Sequence, residues 1–224
     1  MHIEKNIEKI LKTIPDNVEL VIVSKTKPID LILEAYNTGQ RIFGENKAQE
    51  VAEKYEFLPK DIIWHFIGHL QTNKIKYIIP FIHLIHSVDS VKLLNCINKE
   101  AEKNNRTIDC LLQFYIATEA SKFGFDIDEA TLFLQSKEFE LMKNVRIVGV
   151  MGMATNSDDN YIIHNEFAQL KIYFENLRQK FFIDKPYFKE ISMGMSGDYK
   201  IAIEEGSTMI RIGSDIFGKR NYSF

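Results

Sequence analysis

Cysteine is scarce in this chain: only two, Cys96 and Cys110, occur among 224 residues. Neither belongs to a C-x-x-C pair, and two are too few for a disulfide framework, so free thiols in a reducing cytosol are expected. Long apolar runs are missing as well. No stretch approaches the ~18 uncharged apolar residues of a membrane span. The N-terminus, MHIEKNIEKILKTIP, is charged and amphipathic and lacks the apolar centre of a secretory signal. A cytoplasmic protein is therefore expected. There is no excess of basic charge either, with Lys plus Arg at 28 against Asp plus Glu at 31, a net of −3. Broad, non-specific binding to nucleic acid needs a basic face and is excluded, although one local basic pocket is still allowed. The five prolines are scattered, and no Pro/Gly/Ser-rich linker or low-complexity tract occurs. Residues 1–224 therefore read as a single domain.

What is present is a regular alternation. Hydrophobic residues make up 45% of the chain, enough to bury a full core. Ile3, Ile7, Ile10 and Leu11 share a helical face over residues 2–13. Short, β-branched or apolar runs then follow at 18–24, 41–44, 62–68, 83–88, 108–116, 145–152, 188–194 and 208–213, and each reads as a strand. Helical segments are predicted between them at 29–38, 45–57, 71–79, 89–104, 126–138, 158–180 and 197–205, the first of these stopping at Gly39 and the last at Gly206. Strands alternating with helices imply a parallel sheet. Eight such units in this length predict an α/β fold, a single (β/α)₈ TIM-type barrel with an extra N-terminal helix. A flavodoxin-like or Rossmann-like open sheet is the alternative. It loses weight in its nucleotide-binding forms, because no G-x-G-x-x-G follows the first strand and no G-x-x-x-x-G-K-[ST] occurs.

A barrel of this type carries its site at the C-terminal ends of the strands. The residues there include Ser24-Lys25-Thr26, Gly44-Glu45-Asn46, Gly68-His69, Ser87-Val88-Asp89, Gly152-Met153, the run Ser192 to Ser196, and Arg211 to Ser214. Lys25 ends an almost wholly apolar strand. Partly desolvated at the barrel mouth, its amine would be a nucleophile for carbonyls; a lysine that reaches out to solvent is the plainer reading. Lys27 is the natural surface lysine of the pair. Ser196 precedes a helical run and is a plausible N-cap or phosphate donor, near the loops after strands seven and eight where phosphate commonly binds in these barrels. Gly213 and Ser214 offer further donors. Arg211 lies inside an apolar strand and needs an acceptor, either a carboxylate or a ligand atom. His65 and His69 are spaced by four, but on a strand and loop and without H-E-x-x-H, so no metal is expected.

Taken together, VSKTKP (23–28), RIFGENKAQE (41–50), WHFIGHLQTNK (64–74), HSVDS (86–90), SKFGF (121–125), VGVMGMAT (148–155) and the run from Ser192 to Tyr222 resemble the pyridoxal phosphate homeostasis protein family. Its fold is similar to the N-terminal domain of alanine racemase. The matches keep their order over about nine-tenths of the chain. The resemblance implies pyridoxal 5′-phosphate as cofactor, held as a Schiff base on Lys25. It implies a phosphate cradle of Ser192, Met193, Ser196, Gly213 and Ser214, Arg211 at the pyridine nitrogen, and Asn46 and His69 as walls near the ring. Many relatives carry an acidic residue directly after SMGMS, where this chain has Gly197 and then Asp198.

The implied role is intracellular vitamin B6 homeostasis, with no robust catalysis of its own and with apo-enzymes dependent on pyridoxal phosphate as partners. An arginine at the ring nitrogen disfavours its protonation and weakens the ring as an electron sink. The chain ends about ten residues after the eighth strand, with no room for the β domain that gives alanine racemase its second base, so a monomeric carrier is expected. The alternatives are an amino-acid racemase or lyase that uses the same cofactor, a Schiff-base aldolase acting on sugar phosphates, and a pure scaffold.

Overall fold

Eight parallel strands close on themselves in a computed structural model that describes residues 2–117 and 123–218. The strands are β1 (Glu19–Val23), β2 (Ile42–Glu45), β3 (Ile63–Phe66), β4 (Leu84–Val88), β5 (Ile108–Gln113), β6 (Val145–Met151), β7 (Glu190–Met195) and β8 (Met209–Ile212). They pair in sequence order, and β1 pairs with both β2 and β8, which closes the barrel. The helices are α1 (Ile3–Leu11), α2 (Ile29–Asn37), α3 (Ala48–Phe57), α4 (Val91–Lys103), α5 (Ile127–Leu134), α6 (Lys137–Glu140), α7 (Asn160–Phe181), α8 (Tyr199–Glu204) and α9 (Ser214–Phe217).

Alternate strand residues face opposite sides of the wall. One set packs outward against the helices in the main core, among them Leu20, Ile22, Phe43, Trp64, Ile85, Leu112, Ile191, Met193 and Ile210. The other set points into the barrel, where Leu84, Leu111, Val148, Met151 and Met209 form a small cluster of their own. His65, His86, Ser192 and Arg211 share this inward phase. The N-terminal helix forms as its spacing predicts, burying Ile3, Ile7 and Ile10. Asn6 ties it to the end of the chain's last described turn by donating to the Ile216 carbonyl at 2.9 Å.

Four local expectations are corrected. Residues 71–79 do not form an α-helix but a 3₁₀ segment, Thr72–Tyr77, with no side-chain cap at its start; Pro80 follows closely and disfavours helical backbone in the residue before it. The helix expected over 126–138 is two helices. Ser136 breaks it by donating to the Phe133 carbonyl at 2.6 Å while its oxygen accepts from the Phe139 amide, which caps α6. The helix expected from 197 begins at Tyr199, with Asp198 and not Ser196 at the cap position. A short helix, α9, follows directly on β8 where none was predicted.

Candidate functional site

The strands' C-terminal ends surround a cavity of about 400 Å³. Val23, Lys25 and Lys27 line it from the end of β1, Asn46 from β2 and Ile67 from β3. Met153 contributes after β6, Met195, Ser196 and Gly197 after β7, and Arg211, Gly213, Ser214 and Gly218 from β8 and beyond. Among the described residues, three cationic side chains and no carboxylate line it. A chain of net charge −3 thus concentrates positive charge at one point, which suits an anionic ligand.

Lys25 is held by a turn that the structure constrains tightly. The next residue, Thr26, adopts a left-handed φ of 63°, which a β-branched residue seldom does. Its amide donates to Glu50 Oε1 at 2.5 Å. Behind the turn, Lys54 of α3 donates to the Ser24 carbonyl at 2.9 Å, to Glu45 Oε1 at 2.7 Å and to Glu50 Oε1 at 2.7 Å. Ser24 Oγ also donates to Glu45 Oε1. Burial pushes the Glu45 carboxyl up, while Lys54 pulls it back down. Strand end and helix are thereby bolted together immediately beneath Lys25. Lys27 is not the surface lysine expected: it lines the cavity, and its ammonium reaches the Phe217 carbonyl at 3.4 Å.

Arg211 is 4% exposed. Its Nη1 donates to Ser192 Oγ at 2.6 Å and its Nη2 to the Gly152 carbonyl at 3.2 Å. Among the described residues no carboxylate lies within ion-pair distance of it. Of the two acceptors the sequence left open, the protein supplies neutral oxygens only. Burial pushes the guanidinium down to about 10, against the opposing pull of Asp198, so it stays charged at neutral pH.

The loops after β7 and β8 make the other end of the cavity. Gly194 has φ 93°, and a Cβ there would lie 2.6 Å from Ala202 Cβ. Only glycine lets the strand turn so closely over α8. Asp198 then accepts from the Met195 amide at 2.5 Å, so the aspartate, rather than Ser196, organises this turn. The Ser196 hydroxyl, half-buried on the cavity wall, makes no hydrogen bond among the described residues. The first amides of α9 lie next to Ser214, and first-turn amides have no partner within their helix. Asn46 Oδ1 is buried without a partner. Gly68 lets the neighbouring loop pass over this residue, since a Cβ there would sit 2.5 Å from the Asn46 carbonyl oxygen. A buried amide oxygen without a hydrogen bond among the described residues, a buried cation with neutral partners and two half-buried lysines suit a polar, anionic ligand.

Of the residues singled out in the sequence, Lys25, Asn46, Ser196, Arg211, Gly213 and Ser214 meet at this cavity. Three lie elsewhere. Ser192 is fully buried inside the barrel, behind Arg211. The Met193 side chain faces outward into the main core. His69 is exposed, 3.0 Å from Asp89 and 5.0 Å from the Phe123 ring. Ser121 and Lys122 of the SKFGF stretch lie outside the described residues, as do residues 219–222. Glu45 was among the strand-end candidates, but Lys54 and its ion pair with Glu45 were not recognised as a site feature, nor was the His65–His86 pair described below. Among the described residues no cluster of metal-ligating side chains occurs, and no helix is long and apolar enough to cross a membrane.

A closed parallel barrel whose first strand ends at a lysine and whose last carries a buried arginine is of the alanine racemase N-terminal-domain class, and the model of that domain matches residues 1–221. A pyridoxal phosphate homeostasis protein from Vibrio alginolyticus is 36% identical over 99% of both chains. One from Homo sapiens is 38% identical over 91% of this chain and 77% of its own. The chain belongs to the pyridoxal phosphate homeostasis protein family. PipY of Synechococcus elongatus, solved with pyridoxal phosphate bound, superposes with a TM-score of 0.86 at 33% identity, covering 96% of this chain and all of PipY. Alanine racemase from E. faecalis shares the fold alone, with a TM-score of 0.74 at 17% identity, and this chain covers 58% of it.

Proposed function

We propose that the cavity holds pyridoxal 5′-phosphate covalently on Lys25 as a Schiff base, and that the protein serves vitamin B6 homeostasis as a keeper of the cofactor. Bound there, the cofactor supplies an aldehyde carbon that condenses with an amine, losing water, and a phosphate dianion. One observation carries the reading: a single cavity gathers a half-buried lysine, a buried arginine and the turns after β7 and β8, with no carboxylate in its wall among the described residues. Lys25 supplies the amine. Ser196, Gly197, Gly213 and Ser214 supply hydroxyl and amide donors for the phosphate. Arg211 stands at the ring nitrogen and keeps it unprotonated by charge repulsion. Asn46 closes the side of the ring.

A keeper is favoured over a racemase or lyase by the same lining. Reversing a stereocentre takes a proton-transfer group on each face of the substrate. Among the described residues, the cavity wall has no carboxylate, imidazole, phenol or thiol beside its two lysines, and Lys27 is engaged with Phe217. The protein acts in the cytoplasm as a monomer, and its partners are apo-enzymes that need the cofactor.

The test is to incubate wild type and Lys25→Ala with pyridoxal phosphate, record visible spectra, reduce with borohydride and map the product by mass spectrometry. The pyridoxyl mass is expected on the peptide containing Lys25, and only in wild type. An equal visible band in Lys25→Ala, or label confined to another lysine, overturns the assignment.

A further inference from the structure

A line of side-chain hydrogen bonds runs down the axis of the barrel beneath the cavity. Arg211 Nη1 donates to Ser192 Oγ at 2.6 Å. Ser192 Oγ lies 2.8 Å from His86 Nδ1. His86 Nε2 lies 3.0 Å from His65 Nδ1. All four residues are at most 4% exposed. His65 also lines a second cavity, of about 270 Å³, walled by residues that begin the strands, including Glu19, Leu84, Asp109 and Arg146. That cavity therefore lies at the barrel's opposite end. Barrel interiors are ordinarily filled by branched apolar side chains, so two hydrogen-bonded imidazoles in line behind a buried cation call for a physical reason.

Hydrogen-bond chemistry gives the line a direction. A guanidinium can only donate, so Ser192 Oγ must accept from Arg211. The Ser192 hydroxyl proton then needs its own acceptor, and His86 Nδ1 is the one within reach. Were Nδ1 to carry a proton, that hydroxyl would be left buried and unpaired, with the desolvation penalty that such a group carries. His86 therefore carries its proton on Nε2 and donates to His65 Nδ1, and His65 carries its own on Nε2. Each donor points away from the cation. Burial supports neutral rings throughout: it pushes His65 down to about 3, with His83 adding to the effect, and holds His86 well below its ordinary value, with His65 and Arg211 adding.

We propose that His86 is a positioning residue for Arg211. By accepting the Ser192 hydroxyl, it leaves the serine oxygen turned toward the guanidinium and fixes that group at the cavity wall. His65 locks the tautomer that His86 needs. This residue role deepens the reading of the cavity as a pyridoxal phosphate site and rests on it for its effect on the ligand.

The relay is tested first without cofactor. In ¹⁵N-histidine-labelled protein, the imidazole nitrogen shifts of His65 and His86 should both show bare Nδ1 and protonated Nε2. A protonated Nδ1 on His86, or a doubly protonated ring, overturns the proposal. Second, His86→Leu and Ser192→Ala are titrated with pyridoxal phosphate after circular dichroism shows that they are folded. Both should bind about tenfold more weakly, the order seen when groups that orient a ligand-binding side chain are removed, and both should shift the visible band. His86→Asn, which restores an acceptor near the Nδ1 position, should recover most of both changes. Unchanged affinity and band in folded His86→Leu and Ser192→Ala overturn it. Should wild type take up no pyridoxal phosphate at all, the reading of the cavity fails instead, and the nitrogen shifts still decide the relay.

Discussion

Lys54 and Glu45 form an ion pair, 2.7 Å from Nζ to Oε1, in which the carboxylate side chain is fully buried and the lysine side chain 8% exposed. The pair ties α3 to the ends of β1 and β2 directly behind Lys25, because the same ammonium also holds the Ser24 carbonyl. Among the described residues Glu45 Oε2 is already buried with no hydrogen-bond partner, so the carboxylate has no reserve of hydrogen bonds.

Lys54→Met is therefore expected to destabilise strongly, by about 3–5 kcal/mol, because it strands a buried charge. Adding Glu45→Gln to Lys54→Met should recover a large part of the loss by removing that charge. Urea denaturation of the two single variants and the double variant forms a double-mutant cycle. A Lys54→Met loss below about 1 kcal/mol, the range of exposed pairs, would show that the pair does not brace the Lys25 turn.

Arg211 calls for the opposite expectation. Its guanidinium is desolvated and, among the described residues, bonded only to Ser192 Oγ and the Gly152 carbonyl. A buried charge hydrogen-bonded to neutral oxygens, with its nearest opposing charge, Asp198, beyond ion-pair distance, is retained for a ligand at the expense of the fold. Arg211→Met should raise stability by roughly 1 kcal/mol, or about 2–4 °C in Tm for a domain of this size. It should also weaken pyridoxal phosphate binding. Thermal melts and cofactor titration of the same preparation read both. A variant that loses stability and binds the cofactor as wild type does would mean that Arg211 is a structural residue.

Much of the barrel was legible in the sequence because its signals are local. Runs such as VELVIVS and HLIHSV are short, β-branched and bounded by turn residues, and all eight became strands. The ends of those strands identified most of the cavity lining, since a closed parallel barrel places its C-terminal strand ends together. Other features were hidden because they depend on partners distant in the chain. Lys54 sits inside a charged helix and looks like a solvent residue until Glu45 and Ser24 are brought beneath it. His65 and His86 read as ordinary strand residues; only closure of the barrel puts them in line with Ser192, which is 106 residues from His86. Ser196 looked like a helix cap because Asp198, two positions on, competes for the same turn and wins by accepting from the Met195 amide.

The two axial histidines also make stability depend on pH in a predictable sense. The ordinary histidine value is near 6.5, and burial lowers His65 to about 3 and His86 well below 6.5. Below pH 6.5 the unfolded chain thus binds protons that the native barrel refuses, so stability rises with pH through that range. The contribution of each neutral ring is complete above pH 6.5 and is lost as the pH falls towards the folded-state value. Each histidine should cost about 1.4 kcal/mol for every pH unit below 6.5, so the pair should cost about 3 kcal/mol at pH 5.5. That window lies above the range in which most carboxylates titrate. Urea denaturation at pH 7.5, 6.5 and 5.5 should show a small loss across the first interval, about 0.7 kcal/mol for the pair, and a larger one, about 2 kcal/mol, across the second. His86→Leu should remove about half of the drop. A wild-type midpoint that is flat down to pH 5.5 would mean that the imidazoles accept protons inside the folded barrel, and the directional line from Arg211 to His65 could not then be neutral.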